Sequence, residues 1–309
     1  EDGVESAERH IRDLDIIHPF VYEVDENGDI VDRAGLNDDH WEDLLRRANR
    51  RDVLVMPTIA WFDGPAIHAT LSSRTLRERH IAEIVDLVED NDFDGINIDY
   101  EQKLSITKDD FSRFLRELED ELGRKELSCT IEARTPPESR WRTVPRTIEY
   151  ANDYEAMAKY CDWVEIMAYD QQRADWRLNQ ARQGEPYIPV ADVDWVEKVI
   201  ELALEDIPED KIMLGVPTYG RHWTITVEPD WYKEYDSNGA VNLPDAEELA
   251  EEYDVEPGRN AAGEISFTFF PADSIFKILN SLPTPEGTRP GMEAAAKALL
   301  FANATGMTV

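Results

Sequence analysis

Apolar positions recur along this chain in two alternating rhythms. Short runs rich in branched and aromatic residues, at 15–22, 53–59, 94–101, 127–133, 163–169 and 211–219, have the length and bounds of buried strands. Between them lie stretches whose apolar residues fall three and four apart. Trp41, Leu44, Leu45 and Ala48 share one face over 39–50, and Leu76, Ile81, Ile84, Val85 and Val88 share one up to 89, with Ser72 or Ser73 as the N-cap. A further amphipathic helix is predicted over 108–122, stopped at Gly123. Shorter helices are predicted over 6–14, 153–160 and 192–204. Buried strands alternating with amphipathic helices predict a parallel sheet covered by helices. The repeat and its count suit a (β/α)8 TIM barrel. A doubly wound sheet is the alternative. It would want a glycine-rich phosphate loop after a strand, and the chain has neither GxGxxG nor GxxxxGK[ST].

After residue 222 the rhythm changes. The stretch 228–239 reads as an aromatic loop with Trp231, Tyr232 and Tyr235, 245–253 as a short helix and 264–270 as a strand. The expected organisation is barrel over 1–222, an α+β insertion over 223–285 between the seventh and eighth strands, and barrel again over 286–309. That last part would be a helix at 292–303 and the start of the final strand. Nothing in the polar N-terminus reads as a strand, so the expectation is a barrel lacking its first strand and part of its eighth, cut from a longer protein.

Within this frame residues 94–101 (Asp-Gly-Ile-Asn-Ile-Asp-Tyr-Glu) stand apart. Side chains alternate along a strand, so Ile96, Ile98 and Tyr100 form one apolar face, and Asn97, Asp99 and Glu101 share the other. A buried strand face does not carry two carboxylates without a use for them. With Cα atoms about 6–7 Å apart and an effective dielectric near 20, the two charges repel by roughly 3 kcal/mol, or about two pKa units. One carboxyl is therefore expected to stay protonated near neutrality while the other ionises, which suits a general acid beside an electrostatic stabiliser. Glu101, at the rim, is the better placed acid. Asn97 can donate a hydrogen bond to Asp99. Polar or aromatic residues also end the other strands: Tyr22, Glu132 and Arg134, Tyr169 and Asp170, Tyr219 and Arg221. In a barrel those ends form the active face.

Three of these strand ends resemble the motifs of family 18 glycoside hydrolases. Residues 94–101 resemble the DGxDxDxE signature, with Asn97 in place of one Asp. Met167-Ala168-Tyr169-Asp170 is similar to the Met-x-Tyr-Asp motif of the sixth strand. Gly215-Val216-Pro217-Thr218-Tyr219-Gly220-Arg221 is similar to the seventh-strand Gly-x-Pro-x-Tyr-Gly-Arg. Pro19-Phe20-Val21-Tyr22 resembles the spore-germination, cortex-lytic branch. The resemblance implies retaining hydrolysis of β-1,4-linked N-acetylglucosamine glycans, chitin or peptidoglycan, with the substrate's acetamido oxygen as nucleophile. It implies Glu101 as acid and base, Asp99 as partner of the acetamido group and Tyr169 as donor to its carbonyl. It also implies Asp170, Tyr219 and Arg221 as contacts to sugar hydroxyls. Asn97, Glu132, Arg134 and Trp223 join the expected substrate contacts, with Trp231 as a second stacking candidate. For Glu132 and Arg134 a plain ion pair is the competing reading; for the two tryptophans it is packing. A lectin-like barrel that binds glycan without cleaving it is the alternative function, and a structural barrel domain is a third. Retention of Glu101 favours the enzyme.

Charge narrows the partners. Sixty-six acidic residues stand against 32 basic, a formal net charge of −34, spread along the whole chain. Such a surface repels nucleic acid and anionic membranes, and no apolar run is long enough to span a bilayer. Screening by molar salt would relieve the self-repulsion, so a halophilic protein is expected. The partner expected is a polysaccharide or oligosaccharide met by a monomer, secreted or at the cell surface, although no signal segment is present. The six histidines form no HExxH pair, and no metal or other cofactor is expected. Cys129 and Cys161 lie at apolar positions. The reading favours two buried thiols and leaves a disulfide open.

Overall fold

A computed structural model describes residues 3–36, 38–182, 186–228, 231–269 and 296–302. Helix α1 (Gly3–His10) leads into β1 (Ile16–Ile17), β2 (Phe20–Val24) and the hairpin strand β3 (Ile30–Asp32). Helix α2 (Asp39–Asn49) returns to β4 (Leu54–Val55) and β5 (Thr58–Trp61). Helices α3 (Gly64–Ser72) and α4 (Arg74–Asp90) precede β6 (Gly95–Tyr100), and α5 (Lys108–Leu122) precedes β7 (Glu126–Glu132). Helices α6 (Pro137–Arg140) and α7 (Tyr154–Tyr160) lead to β8 (Trp163–Met167). Helices α8 (Trp176–Ala181) and α9 (Val193–Ala203) lead to β9 (Ile212–Leu214).

The main sheet runs β3-β2-β5-β6-β7-β8-β9, and every pair from β2 to β9 is parallel. From β2 onward spatial order follows chain order without reversal. A doubly wound sheet turns back at a switch point; this one does not. The predicted strands at 15–22 and 53–59 are each split in two. Pro19 and Pro57 cannot donate to a ladder, so β1 pairs with β4 below the break and β2 with β5 above it. The prolines still accept: Thr58 N–H donates to the Pro19 carbonyl and Asn97 N–H to the Pro57 carbonyl, both at 2.9 Å.

The outward faces of β6 and β7 (Ile96, Ile98, Tyr100, Leu127, Cys129 and Ile131) share one buried cluster with α4 and α5, which contribute Ile81, Ile84, Phe114, Leu115 and Leu118. The predicted bounds of α5 hold, and Gly123 ends it at φ +66°. The Ser73 side chain caps α4. Cys129 and Cys161 are joined as a disulfide, with Cα atoms 6.2 Å apart, which replaces the expected pair of thiols. The bond ties the middle of β7 to the residue that ends α7. Helices α3, α6 and α8 are too short or too irregular in pattern to have been read from the sequence.

A second, antiparallel sheet holds β10 (Gly220–Glu228), β11 (Trp231–Val241), β12 (Gly258–Arg259), β13 (Ile265–Phe269) and β14 (Ala296–Ala302), in the order β11-β10-β14-β13-β12, with α10 (Leu243–Glu252) beside it. Residues 231–239, predicted as loop, are strand: their aromatics are β-prone, and β11 pairs along the whole of β10. Residues 296–302, predicted as helix, are strand as well. The Ala, Lys and Leu content is a weak helical prior, overridden here by ladders to β10 on one side and β13 on the other. Positions 292–295 and 303–309, including the predicted start of the last strand, lie outside the described residues.

Candidate active site

Strand β6 can carry the site because it sits close against its neighbours. A Cβ at Gly95 would fall 2.1 Å from the Glu126 carbonyl oxygen on β7, so only glycine fits there. On the inner face the polar side chains form two hydrogen-bonded groups. His18 Nε2 lies 3.1 Å from Glu165, and Ser128 Oγ donates to Glu165 at 2.5 Å. In the second, Asn97 Nδ2 donates to Thr58 Oγ1 at 3.1 Å, and Thr130 Oγ1 donates to Asn97 Oδ1 at 3.0 Å. Asn97 therefore spans β5, β6 and β7 and does not donate to Asp99, contrary to the sequence expectation. Both of its polar atoms are taken by hydroxyls on the flanking strands.

Asp99 comes next, 6% exposed, with Ala60 opposite it on β5. Its Oδ1 is buried and has no hydrogen-bond partner among the described residues. Burial first, and then the Glu101 charge, push its carboxyl up to about 7. Glu101, half-buried at the rim, is also raised, by burial and then by Glu132. The pair thus keeps a proton near neutrality, as expected. The deeper carboxyl, Asp99, is carried to about 7, although the sequence reading had put the retained proton on Glu101.

Lys103 was not foreseen. It is buried just past β6, donates to the Tyr100 carbonyl and lies 4.6 Å from the centre of the Phe111 ring. Burial lowers its pKa, while Glu132, Asp99 and Glu101 act to raise it. It is the local counter-charge to that acid cluster. Glu132 accepts from Gln102 N–H at 3.2 Å and from Asn152 Nδ2 at 2.9 Å. Arg134 stacks instead on Tyr150 and Tyr154, 4.2 and 3.7 Å from the ring centres. The ion-pair reading of Glu132 with Arg134 is therefore replaced by two separate roles. Glu132 holds the turn after Glu101, and Arg134 holds the loop after β7.

Tyr169 and Asp170 follow β8. Asp170 takes a left-handed φ of +54°, a conformation that Asp tolerates better than most residues. Arg221, at the start of β10, grips it through two bonds, Nε at 2.9 Å and an amino nitrogen at 2.6 Å. Such a bidentate pair fixes both side chains. Tyr219 packs edge-on to Tyr169, with ring centres 6.2 Å apart, and burial together with a bond to Asp170 raises its hydroxyl. Burial, then the Asp99 and Glu101 charges, push the Tyr169 hydroxyl up to about 12, so it remains a donor. Asp99, Glu101, Tyr169, Asp170 and Tyr219 thus gather beyond the carboxyl ends of β6, β8 and β9, and Arg221 reaches Asp170 from the start of β10. Trp223 does not join them. It is buried against Ile188 and Ile225, a packing role in place of the expected sugar contact. The side chain of Trp231 lies outside the described residues.

Glu165 was legible in principle, because it shares the inward parity of Met167 and Tyr169. Lys103, in a loop, carried no periodic signal. Among the described residues no group of three or more His, Cys, Asp or Glu is arranged to hold a metal ion, and no helix is long and apolar enough to cross a membrane.

The chain is 29% identical over 215 residues to the Bacillus subtilis (strain 168) protein YdhD, covering 68% of this chain and 47% of that protein. It is 30% identical over 159 residues to a cortical fragment-lytic enzyme of the same organism, covering 50% and 33%. It therefore spans about half the length, or less, of these relatives. The solved structure of a chitinase from Chromobacterium violaceum superposes with a TM-score of 0.70 at 20% identity, over 98% of this chain and 84% of that one. Its fold, with the parallel order seen here, identifies a (β/α)8 barrel. The model of the family described as glycosyl hydrolases family 18 matches residues 16–269, across the strands that carry Asp99, Glu101, Tyr169, Asp170 and Arg221, and the chain belongs to that family.

Proposed function

We propose that this chain is a glycosidase that cleaves β-1,4-linked N-acetylglucosamine glycans by a retaining, substrate-assisted route. The observation that carries the reading is the acid pair at the end of β6. A buried Asp99 holds its proton to about pH 7, two residues below a half-buried Glu101 at the strand rim. The proton that the pair holds stands on Glu101 when it protonates the glycosidic oxygen, which leaves Asp99 ionised, and Glu101 later accepts a proton from water. The acetamido oxygen of the bound sugar attacks its own anomeric carbon, so no protein nucleophile is needed. Asp99, with one oxygen unpartnered in its pocket, is free to accept from the acetamido N–H and to stabilise the positive ring that forms. Tyr169, whose hydroxyl stays protonated, donates to the acetamido oxygen. The clamped Asp170 and Arg221 meet sugar hydroxyls. The relatives' names, a cortical fragment-lytic enzyme and a chitinase, support a glycan of cortex or chitin type, and the charge of −34 supports a high-salt setting.

The test is release of a fluorophore from N-acetylglucosamine oligosaccharides at molar KCl, with Glu101→Gln beside the parent. A positioned acid contributes about 10²- to 10⁴-fold, and a loss of that size is expected. Equal rates would remove Glu101 as the acid. No turnover by the parent with retained glycan binding would favour a lectin.

A further inference from the structure

At the carboxyl end of the barrel strands, lined by the segments that follow β7 and β8, lies a cavity of about 290 Å³. Arg142 reaches it from the loop after β7. Arg173, Trp176, Asn179 and Gln180 come from the segment after β8, and Tyr235 from β11. Among the described residues no carboxylate lines it. In a chain with twice as many acids as bases, two guanidinium groups share this cavity with no described acid between them.

Each guanidinium is set against a ring instead: Arg142 is 5.5 Å from the centre of Trp176, and Arg173 is 5.7 Å from that of Tyr235. The walls are pinned. Trp176 Nε1 donates to the Glu138 carbonyl at 2.9 Å, and Asn179 Nδ2 donates to the Arg173 carbonyl at 3.1 Å. The other amide atom of Asn179, Oδ1, is buried without a partner among the described residues. A buried acceptor left open in this way is met by a donor from elsewhere.

We propose that this cavity is a sugar subsite that reads a carboxylate on the glycan. The inference rests on the glycan-cleaving reading above and narrows it to acid-bearing chains. The aromatic faces suit the apolar face of a pyranose. Asn179 Oδ1 accepts from a hydroxyl or amide N–H of that sugar, and Arg142 and Arg173 take its carboxylate, for which the planar guanidinium fork is matched. A net charge of −34 repels such a glycan at long range. Salt screens that repulsion within a few ångströms and leaves the direct contact.

The experiment uses the full chain with Glu101→Gln, so that ligand survives. Calorimetry at about 1 M KCl compares an oligosaccharide of alternating N-acetylglucosamine and N-acetylmuramic acid, as the free acid and as its methyl ester. The free acid is expected to bind at least about tenfold more tightly, and Arg142→Gln with Arg173→Gln is expected to abolish the difference. Both arginines are exposed, so the fold tolerates the change. Equal binding of acid and ester, or binding of neither, overturns the proposal. Hydrolysis is scored separately with Glu101 restored. Absence of turnover there counts against the glycosidase reading alone, because the acid-against-ester comparison does not depend on cleavage.

Discussion

Replacing Asp99 by Asn is expected to stabilise the fold while it destroys the site. In the folded protein the Asp99 carboxyl is carried from its ordinary 3.8 to about 7, mainly by burial. Below about pH 4 the group is protonated in both folded and unfolded chains and contributes nothing. As pH rises from there, the unfolded chain ionises while the folded one holds its proton. Folding is then disfavoured by about 1.4 kcal/mol for each pH unit. The penalty stops growing near pH 7, where the folded group also ionises. A shift of about three units amounts to about 4 kcal/mol. Asn has nearly the same shape and does not titrate, so the variant escapes the whole penalty. Urea denaturation of parent and variant at pH 4, 6 and 8, in constant KCl, measures it. The difference in unfolding free energy should be near zero at pH 4 and about 4 kcal/mol in the variant's favour at pH 8. Titration of the remaining acidic surface is common to both proteins and cancels in that difference. A difference that does not change with pH, or a variant less stable at pH 8, would refute the argument that Asp99 is held in a strained protonation state.

Asn97→Asp is expected to remain active with its pH optimum moved upward. Thr58 and Thr130 can both donate to a carboxylate there, and a third acid on the same strand face raises Asp99 further; complete loss of glycosidase activity would overturn this. Opening the Cys129–Cys161 disulfide, which closes a separation of 32 residues, should cost about 4 kcal/mol on the loop-entropy estimate. An unchanged urea midpoint after reduction would show that the crosslink does not constrain the unfolded chain. The melting temperature should climb from 0.1 to 3 M KCl as the Debye length shrinks from about 10 Å to below 3 Å, and a flat or falling curve would end the halophilic interpretation.

The strand that bears the acids was legible because alternation places Asn97, Asp99 and Glu101 on one face whatever the surrounding fold. The helices with a full apolar stripe were legible for the same reason, α5 to the residue. Illegible were features set by partners distant in sequence. Asn97 points its amide at Thr58 rather than Asp99 because β5 lies beside it, which periodicity does not reveal. Lys103 acquires meaning only when the turn after β6 folds it back over Phe111. The pairing of Cys129 with Cys161 required knowing that α7 ends against β7. Trp223 looked like a sugar platform by residue type, and the second sheet buried it. The strand at 296–302 is made of helix-forming residues and is held by two ladders that local sequence cannot anticipate.

Behind the acids, on the outward face of β6, Tyr100 is fully buried and hydrogen-bonds His80 Nε2 at 2.5 Å. Trp61 stands edge-on to it, with ring centres 5.4 Å apart, and Phe114 stacks at 5.7 Å. Burial holds His80 down at about 4, so the contact is uncharged across the working pH range. The consequence is an uneven rigidity across the site. Amide hydrogens of β6, locked from both faces, should exchange with solvent only when the whole domain opens. Those around Asp170, half-exposed in the turn after β8, should exchange through local fluctuations. Proton transfer would then take place on the stiff wall, and sugar admission would be left to the one that breathes.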